Sequence, residues 1–364
     1  MKKQMFKKEV KSSKEKFDFE MPKGATKLVP SLKITENHRN SYIDRIVEVH
    51  SIQSASYKQE NMLDFIKDKA TKYGAILEED KEGNLYATKG KSKSYPCVVA
   101  HTDTVHRLIP KSAYEVIVLG KNIMAIDNRD CSRVGVGGDD NVGIFIALES
   151  LKNNKIIKVA FFVDEEVGCI GSKASDLDFF KDVAFCFQAD RKGYNDVTDT
   201  ICNTPMFTES FSKILSPVFK KYAKTFNNGG LTDVYALAKR KLNICMFNSS
   251  CGYYKPHTNN EYIVIDEVIL TYLFFQDSIN ALYKEGVIYE IIRPEEEVYS
   301  NYSFNNWEKS WNVKWDNQTW DNHEKAWKDL PIQKDITQTK IGFKKRVTGF
   351  SVAKDSKGKR IYNG

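Results

Sequence analysis

The sequence predicts an α/β fold, a three-layer sandwich in which helices cover both faces of a mostly parallel central sheet. Two observations indicate this fold. Strand-like segments alternate along the chain with segments of helical periodicity, which is the order typical of a parallel sheet. Segments such as VAFFV and NICMF are apolar almost throughout, as expected of strands that are covered on both faces. Ligands of such sheets bind beyond the carboxyl ends of the strands, so functional residues are expected there.

The predicted elements follow one another from residue 40 to residue 284. Residues 40–74 carry two apolar stripes at helical spacing. Two hairpins are predicted, at residues 76–90 with a turn at Glu82-Gly83, and at residues 114–127. Buried strands are predicted at residues 97–103, 158–168, 182–190 and 242–249. Helices are predicted at residues 144–151, 206–224, 232–240 and 266–284.

The composition excludes several classes of protein. With 364 residues and 41% hydrophobic content, the chain can bury a large core, which excludes wholesale disorder, collagen-like repeats and a disulfide scaffold. No apolar run approaches the ~18 residues of a membrane-spanning helix, so no membrane contact is predicted. The basic start lacks the apolar stretch of a secretory signal. Seven cysteines without a CxxC pair are typical of reduced thiols, and we expect a cytoplasmic protein.

Basic charge is concentrated at the two ends of the chain. Residues 1–33 and 341–364 each carry a net charge of +6, which leaves −5 for the residues between them. Basic tails can bind nucleic acid. Solvated tails are the favoured interpretation, because the sequence has neither a zinc-finger nor an RNA-recognition motif. We divide the chain into a basic tail (1–35), a folded domain (36–289) and a basic extension (290–364).

The C-terminal extension contains all five tryptophans, within 21 residues. Trp307, Trp311 and Trp315 have the spacing of one helix face. This tryptophan cluster is predicted to pack on the body of the protein or on another subunit, as an interaction segment. A platform that stacks sugars or bases is the alternative. The oligomeric state stays open.

Charged and imidazole residues follow the apolar segments at several points. They are His101, Asp103, Asp139, Asp140, Glu165, Glu166, Asp190, Asp233 and His257. If they converge, one pocket holds several carboxylates and two imidazoles. Crowded carboxylates repel each other and stay ionised only when cations compensate them. Two Zn²⁺ would balance three ligand carboxylates and a hydroxide, so these residue types point to a site for two metal ions.

In order and spacing, these residues resemble the motifs of a known enzyme family. The matching stretches are VVAHTDTV (98–105), GGDDNVGIFIAL (137–148), VAFFVDEEVGCIGS (159–172), FQAD (187–190), GGLTDVYAL (229–237) and PHTNNEYI (256–263). Together they resemble the dizinc exopeptidases of the peptidase T, carboxypeptidase and aminoacylase group, and above all the peptidase T-like proteins. The resemblance implies that residues 36–289 are a zinc exopeptidase-like catalytic domain.

The resemblance also implies a role for each matching residue. His101 and Asp190 would hold one zinc ion, and Glu166 and His257 the other. The carboxylate of Asp139 would bridge the two ions, and a strained or cis peptide bond between Asp139 and Asp140 would orient it. This leaves each ion the open position that a catalytic zinc needs. The remaining roles are catalytic: Asp103 would orient His101, and Glu165 would be the general base.

The implied activity is a zinc-dependent metallopeptidase that cleaves a terminal amide bond of short peptides, as an aminopeptidase or a di- or tripeptidase. A hydroxide that bridges two Zn²⁺ would attack the carbonyl, with Glu165 moving the proton. Co²⁺ or Mn²⁺ could replace zinc. The alternatives are an amidohydrolase acting on N-acyl amino acids, which the same site can perform, and a non-catalytic binding protein that keeps the fold.

The sequence departs from the family at one point. Relatives of peptidase T carry a lid or dimerisation domain of roughly a hundred residues between the equivalents of Asp190 and His257. Only 66 residues separate them here, so this domain is predicted to be absent. Other residues must then contact the substrate and stabilise the oxyanion. The candidates are Arg191, Tyr253 and Tyr254 for the oxyanion, and Asp233, which would bind a substrate amine or cap its helix. His106 is predicted to be a loop residue rather than a ligand.

Overall fold

The computed structural model describes residues 30–293 and two short strands near the C-terminus. The helices are α1 (Glu36–His50), α2 (Glu60–Lys72), α3 (Gly138–Asn153), α4 (Ile170–Ala174), α5 (Glu209–Lys221), α6 (Asp233–Lys239) and α7 (Ile265–Leu282). The strands are β1 (Ile76–Glu79), β2 (Leu85–Lys89), β3 (Tyr95–His101), β4 (Tyr114–Leu119), β5 (Asn122–Asp127), β6 (Ser132–Val134), β7 (Ile157–Phe162), β8 (Val183–Arg191), β9 (Asp196–Ile201), β10 (Thr204–Pro205), β11 (Thr225–Gly229), β12 (Met246–Ser250), β13 (Tyr253–Tyr254), β14 (Tyr262–Val264), β15 (Ala353–Lys354) and β16 (Arg360–Ile361). Most of the predicted basic tail and the whole tryptophan cluster lie outside the described residues.

Nine strands form the central sheet, in the order β1-β2-β7-β3-β8-β12-β9-β10, with β11 paired to β9. The middle of this sheet, β7-β3-β8-β12, is parallel throughout. Antiparallel hairpins extend it, β1–β2 on one side and β9–β10 on the other. The predicted α/β architecture with a mostly parallel central sheet is therefore confirmed.

The two faces of β3 bury residues in two separate cores. Val98 and Ala100 pack with residues of α1, α2, α3, α5 and α7. Cys97 and Val99 belong to a smaller core with α6 and a 3₁₀ turn at Leu177–Phe180. Successive side chains of a strand point to opposite faces, so a strand that is apolar at nearly every position needs cover on both sides. The three layers supply that cover.

Helix α1 begins four residues before the predicted start. Thr35 occupies its N-cap, and its hydroxyl accepts a hydrogen bond from the backbone N–H of His38. The His38 ring accepts one in return from the backbone N–H of Thr35. This reciprocal cap satisfies two backbone donors and marks where α1 begins.

A second, antiparallel sheet lies beside the first, in the order β13-β14-β5-β4, with β6 paired to β5. Only its β4–β5 hairpin was predicted from the sequence. The other strands are two or three residues long, too short to show a period. Strands β9 and β11 of the central sheet also escape prediction, because DVTDTI contains two Asp residues and TFNNG ends in Asn-Asn-Gly, residue types that strands disfavour.

The 66 residues between Asp190 and His257 form no separate domain in the described structure. Strands β9, β10, β11 and β12 join the central sheet. Helix α5 packs beside α7, where Lys221 and Tyr222 both bond to Asp277. The segment that carries a lid in relatives of peptidase T is used here to widen the sheet and cover it, as the short spacing predicted.

Two further predictions concern the whole described chain. None of the helices within residues 30–293 combines the length and the apolar character that crossing a membrane requires. All seven cysteines are free thiols, and five of them are buried, as predicted for reduced residues that pack in a core.

Candidate metal centre

His101 is the last residue of β3, and its surroundings fix which ring nitrogen is available. The ring Nδ1 lies 3.0 Å from the backbone carbonyl oxygen of Asp103 and 3.3 Å from its carboxylate. A carbonyl oxygen only accepts hydrogen bonds, so Nδ1 carries the proton. The lone pair of Nε2 then points away from Asp103, towards Asp139 at 3.3 Å and Asp190 at 3.7 Å. This orientation of a histidine by a neighbouring carboxylate is typical of metal ligands.

Asp139 lies between the two histidines. It follows Gly137 and Gly138 at the start of α3, and its peptide bond to Asp140 is cis. Its Oδ1 lies 3.3 Å from Nε2 of His101, and its Oδ2 lies 3.3 Å from Nε2 of His257. The two oxygens of one carboxylate thus face two different imidazoles, which is the arrangement expected of a bridging ligand.

Glu165 and Glu166 follow β7, and Asp103 holds the turn that carries them. The carboxylate of Asp103 accepts hydrogen bonds from the backbone N–H groups of Glu165 (2.9 Å) and Glu166 (3.2 Å). The Glu166 side chain reaches His257, with Oε1 3.2 Å from Nε2. The Glu165 side chain lies on the other side, with Oε2 4.0 Å from Nε2 of His101 and Oε1 bonded to the thiol of Cys169 at 3.2 Å.

Asp190 lies near the end of β8, next to β3 in the sheet. Its Oδ1 faces His101, and its Oδ2 accepts a hydrogen bond of 3.0 Å from the hydroxyl of Thr232. Asn248 accepts a bond from the backbone N–H of Asp190 at 2.9 Å. His257 comes from the loop between β13 and β14, and 48% of its side chain is exposed. The site therefore extends from a fully buried imidazole to one that faces solvent.

The five side chains fit a pair of metal ions by two criteria. Ligand atoms lie about 2.0–2.1 Å from zinc, so two ligands of one tetrahedral ion are about 3.3 Å apart. The closest separations between the five side chains are 3.2–3.7 Å, longer than charge-assisted hydrogen bonds. In addition, Nε2 of His101 and Oε1 of Glu166 are buried without any hydrogen bond. His101, Asp139 and Glu166 can offer ligand atoms that all lie within 4.8 Å of one another.

The electrostatics of the metal-free chain agree with this geometry. Burial raises the pKa of Glu166 to about 7 and the pKa of Asp190 to about 6. Burial also disfavours the charged form of Asp139, but His101 and His257 outweigh it and lower the pKa of this carboxyl. The neighbouring carboxylates of Asp139 and Glu166 raise the pKa of His257 to about 11. The cluster therefore favours positive charge at its centre, which bound cations would supply.

Two of the predicted substrate contacts, Arg191 and Tyr254, have partners within the protein. Arg191 pairs with Asp196 at 2.6 Å. The Tyr254 hydroxyl donates to Glu267 at 2.7 Å, and its ring stacks on Tyr262. Tyr253, its neighbour on β13, points to the opposite face, and its buried hydroxyl lies 3.4 Å from Oδ1 of Asp190. Because adjacent residues of a strand alternate in direction, the sequence could not show which tyrosine faces the site.

Asp233 does not cap its helix, so this one of its two predicted roles is wrong. Thr232 occupies the N-cap of α6, and Asp233 is the first helical residue. The Asp233 carboxylate is fully buried and accepts a hydrogen bond of 3.0 Å from Gln188, two residues before Asp190. One of its oxygens, Oδ2, therefore has a partner inside the protein, whereas Oδ1 is buried without a hydrogen bond among the described residues. The role in binding a substrate amine stays a prediction.

Sequence reasoning missed the residues that support Asp190. Gln188, Thr232 and Asn248 form one hydrogen-bonded group around it, with Thr232 bonded to Gln188 at 2.7 Å and to Asn248 at 3.1 Å. Uncharged polar residues inside apolar strands were the available signal. Buried polar groups need partners, and Gln188 and Asn248 lie opposite each other on β8 and β12.

Comparisons with known proteins find likeness in structure only. No family model matches the sequence, and no curated protein matches it. Among solved structures, the aminopeptidase PepT of Bacillus cereus is similar at a TM-score of 0.55 and 14% identity, over 68% of this chain and 99% of that one. A tripeptidase of Staphylococcus aureus is similar at 0.54 and 15%, over 67% and 98%. The aminopeptidase APDkam598 of Desulfurococcus kamchatkensis is similar at 0.53 and 16%, over 68% and 96%.

At this level of identity the comparisons establish the fold. They agree with the fold that the motifs predicted, and the motif residues occupy the strand ends and loops described above. About two thirds of this chain therefore share the fold of these solved peptidase structures.

Proposed function

We propose that the protein is a metal-dependent peptidase that removes a terminal residue from short peptides, as an aminopeptidase or a di- or tripeptidase. One observation carries the proposal: the two oxygens of Asp139 face the imidazoles of His101 and His257, each at 3.3 Å. The fold supports it, because the similar solved structures named above are an aminopeptidase and a tripeptidase.

The contacts support the ligand sets that the sequence motifs imply. His101 and Asp190 would hold one ion, and Glu166 and His257 the other, with Asp139 shared between them. Imidazole and carboxylate ligands of this kind suit Zn²⁺, and Co²⁺ or Mn²⁺ could replace it. Each ion would have three protein ligands, which leaves room for a water molecule and a substrate oxygen.

Glu165 is the proposed general base and acid. Two bound metal ions would polarise the scissile carbonyl and lower the pKa of a water molecule held between them. Oε1 of Glu165 is occupied by the Cys169 thiol, whereas Oε2 lies 4.0 Å from His101 Nε2, within the site. Oε2 is therefore the atom that we propose takes the proton from water and returns it to the leaving amine.

Two measurements on the purified protein test the proposal. Metal analysis after expression with added zinc is expected to find two ions per chain. A panel of di- and tripeptides and N-acetyl amino acids, assayed with and without chelator, is expected to show hydrolysis of free peptides that stops when the chelator removes the metal.

Each alternative has its own result in these assays. Cleavage of N-acetyl amino acids without cleavage of peptides would establish an amidohydrolase. A chain that binds no metal and cleaves nothing would overturn the proposal and favour a binding protein that keeps the fold.

A further inference from the structure

The carboxylate of Glu261 is outside the proposed ligand set, yet it lies against the turn that carries Asp139. Glu261 follows His257 by four residues and is completely buried. Its Oε2 accepts a hydrogen bond of 2.7 Å from the backbone N–H of Gly137, and its Oε1 accepts one of 3.2 Å from the backbone N–H of Asp139. One side chain thus binds both ends of the Gly137–Asp139 turn.

His106 is the third hydrogen-bond partner of this carboxylate. Its Nε2 lies 2.7 Å from Oε2 of Glu261, and its side chain is 15% exposed. His106 belongs to the loop that leaves His101 and Asp103. Glu261 therefore links three segments that carry proposed ligands: the loop after β3, the start of α3, and its own loop, which holds His257.

The glycines around the turn make room for these contacts. A Cβ atom on Gly135 would lie 2.1 Å from the His106 ring, and one on Gly138 would lie 2.6 Å from Cβ of Tyr253 and 3.3 Å from Oε1 of Glu261. Any side chain at either position would push the turn away from Glu261. The GVGGDD sequence is thus matched to a close approach of Glu261 and His106.

The backbone of Glu261 is fixed from the other side. Arg133, on β6, donates from Nη2 to the carbonyl oxygens of Asn260 and Glu261, each at 3.0 Å. The carboxylate is therefore attached to a fixed point of the second sheet, and the turn is attached to the carboxylate. A small rotation of this turn would move both oxygens of Asp139, and with them the shared ligand of both metal positions.

We infer that Glu261, supported by His106, is a positioning residue that holds the bridging carboxylate of Asp139 between the two metal ions. The inference rests on the proposed function. It assigns to Glu261 and His106 a role beyond that of loop residues. Partners of this kind typically change metal affinity by about 10–100-fold when they are replaced.

The test is metal binding by the metal-free protein, with Glu261→Gln as the main variant. Glutamine has nearly the same shape as glutamate. Its NH₂ group, however, would replace one carboxylate oxygen and would face a hydrogen-bond donor, so at least one of the bonds to the backbone N–H groups and His106 would be lost. Zn²⁺ binding is measured by competition with a chelator of known affinity. Glu261→Gln is expected to weaken binding of both ions by about 10–100-fold, and His106→Ala, which removes one of three donors, is expected to weaken it less.

Glu149→Gln is the matched control. Glu149 is also a buried carboxylate, paired with Arg45 at 2.5 Å, but it lies ten residues further along α3 than Asp139, about 15 Å away. This variant is expected to lower the melting temperature and to leave the affinity for Zn²⁺ unchanged.

The outcomes separate the inference from the proposed function. Unchanged affinity in Glu261→Gln, or an equal loss in Glu149→Gln, would overturn the inference while the function stands. A wild-type protein that binds no Zn²⁺ would overturn the function and the inference with it. Should Glu261→Gln fail to fold, wild-type affinity in His106→Ala would still refute the positioning role.

Discussion

Asp103 shows how one carboxylate can position two parts of a site. It faces the Nδ1–H of His101 at 3.3 Å and accepts hydrogen bonds from Ser56 and from the backbone of Glu165 and Glu166. The ring of a proposed ligand and the turn that carries the proposed base are thus set by the same group. The carboxylate stays ionised because His101 and these donors outweigh the effect of burial and lower the pKa of Asp103.

Replacing Glu165 tests the assignment of the base. Glu165→Ala is expected to lower the rate of peptide hydrolysis by about 10²–10⁴, because the group that moves the proton is lost. Metal content should stay near two ions per chain, since the Glu165 carboxylate is not among the proposed ligands. Parallel metal analysis and single-turnover assays check both statements. A fully active variant would refute the base assignment.

Replacing His257 tests the ligand set. His257→Ala is expected to lose one metal ion and most of the activity, because the second ion would keep only Glu166 and the shared Asp139. The side chain is 48% exposed, so the fold should tolerate the change. His38→Ala is the control. It removes an exposed imidazole at the start of α1, far in sequence from the proposed ligands, and should retain both ions. Equal metal stoichiometry in the two variants would contradict the ligand list.

At the scale of elements, three of the candidate residues that lie close together in the structure follow from the position of a strand end. Strand β3 is apolar to its end and then turns polar at His101, and the same change occurs at the ends of β7 and β8. Parallel strands place such ends together, so order along the chain was enough to predict convergence.

The elements that were missed depend on information that one segment does not contain. Strand β9 shows no regular alternation of polar and apolar residues, and it is held by its pairing with β10, β11 and β12. The contacts of Arg191 and Tyr254 depend on which way a strand faces after it joins the sheet. Glu261 likewise could not be assigned from PHTNNEYI, because its partners, Gly137 and His106, are more than 120 residues away in sequence.

At the scale of the whole molecule, the proposed metal ions would join segments from both sheets. Ions that bind only the folded chain stabilise it by mass action, by about 2.7 kcal/mol when the free ion is at 100 times its dissociation constant. For a folded part of this size we expect a chelator to lower the melting temperature by roughly 5–10 °C. Differential scanning calorimetry checks this, with chelator already saturated by Zn²⁺ as the control. An identical melting temperature in both samples would contradict tight binding of metal ions that stabilise the folded chain.

The order of the proposed ligands along the chain also determines when, during synthesis, the proposed metal centre could form. β3 lies between β7 and β8, and the last proposed ligand, His257, comes 156 residues after the first. During synthesis, a ribosome-bound chain that ends before residue 257 holds an incomplete ligand set, however well its earlier strands have formed. On the proposed ligand set, truncated translation products would lack His257 and would not hold a pair of ions.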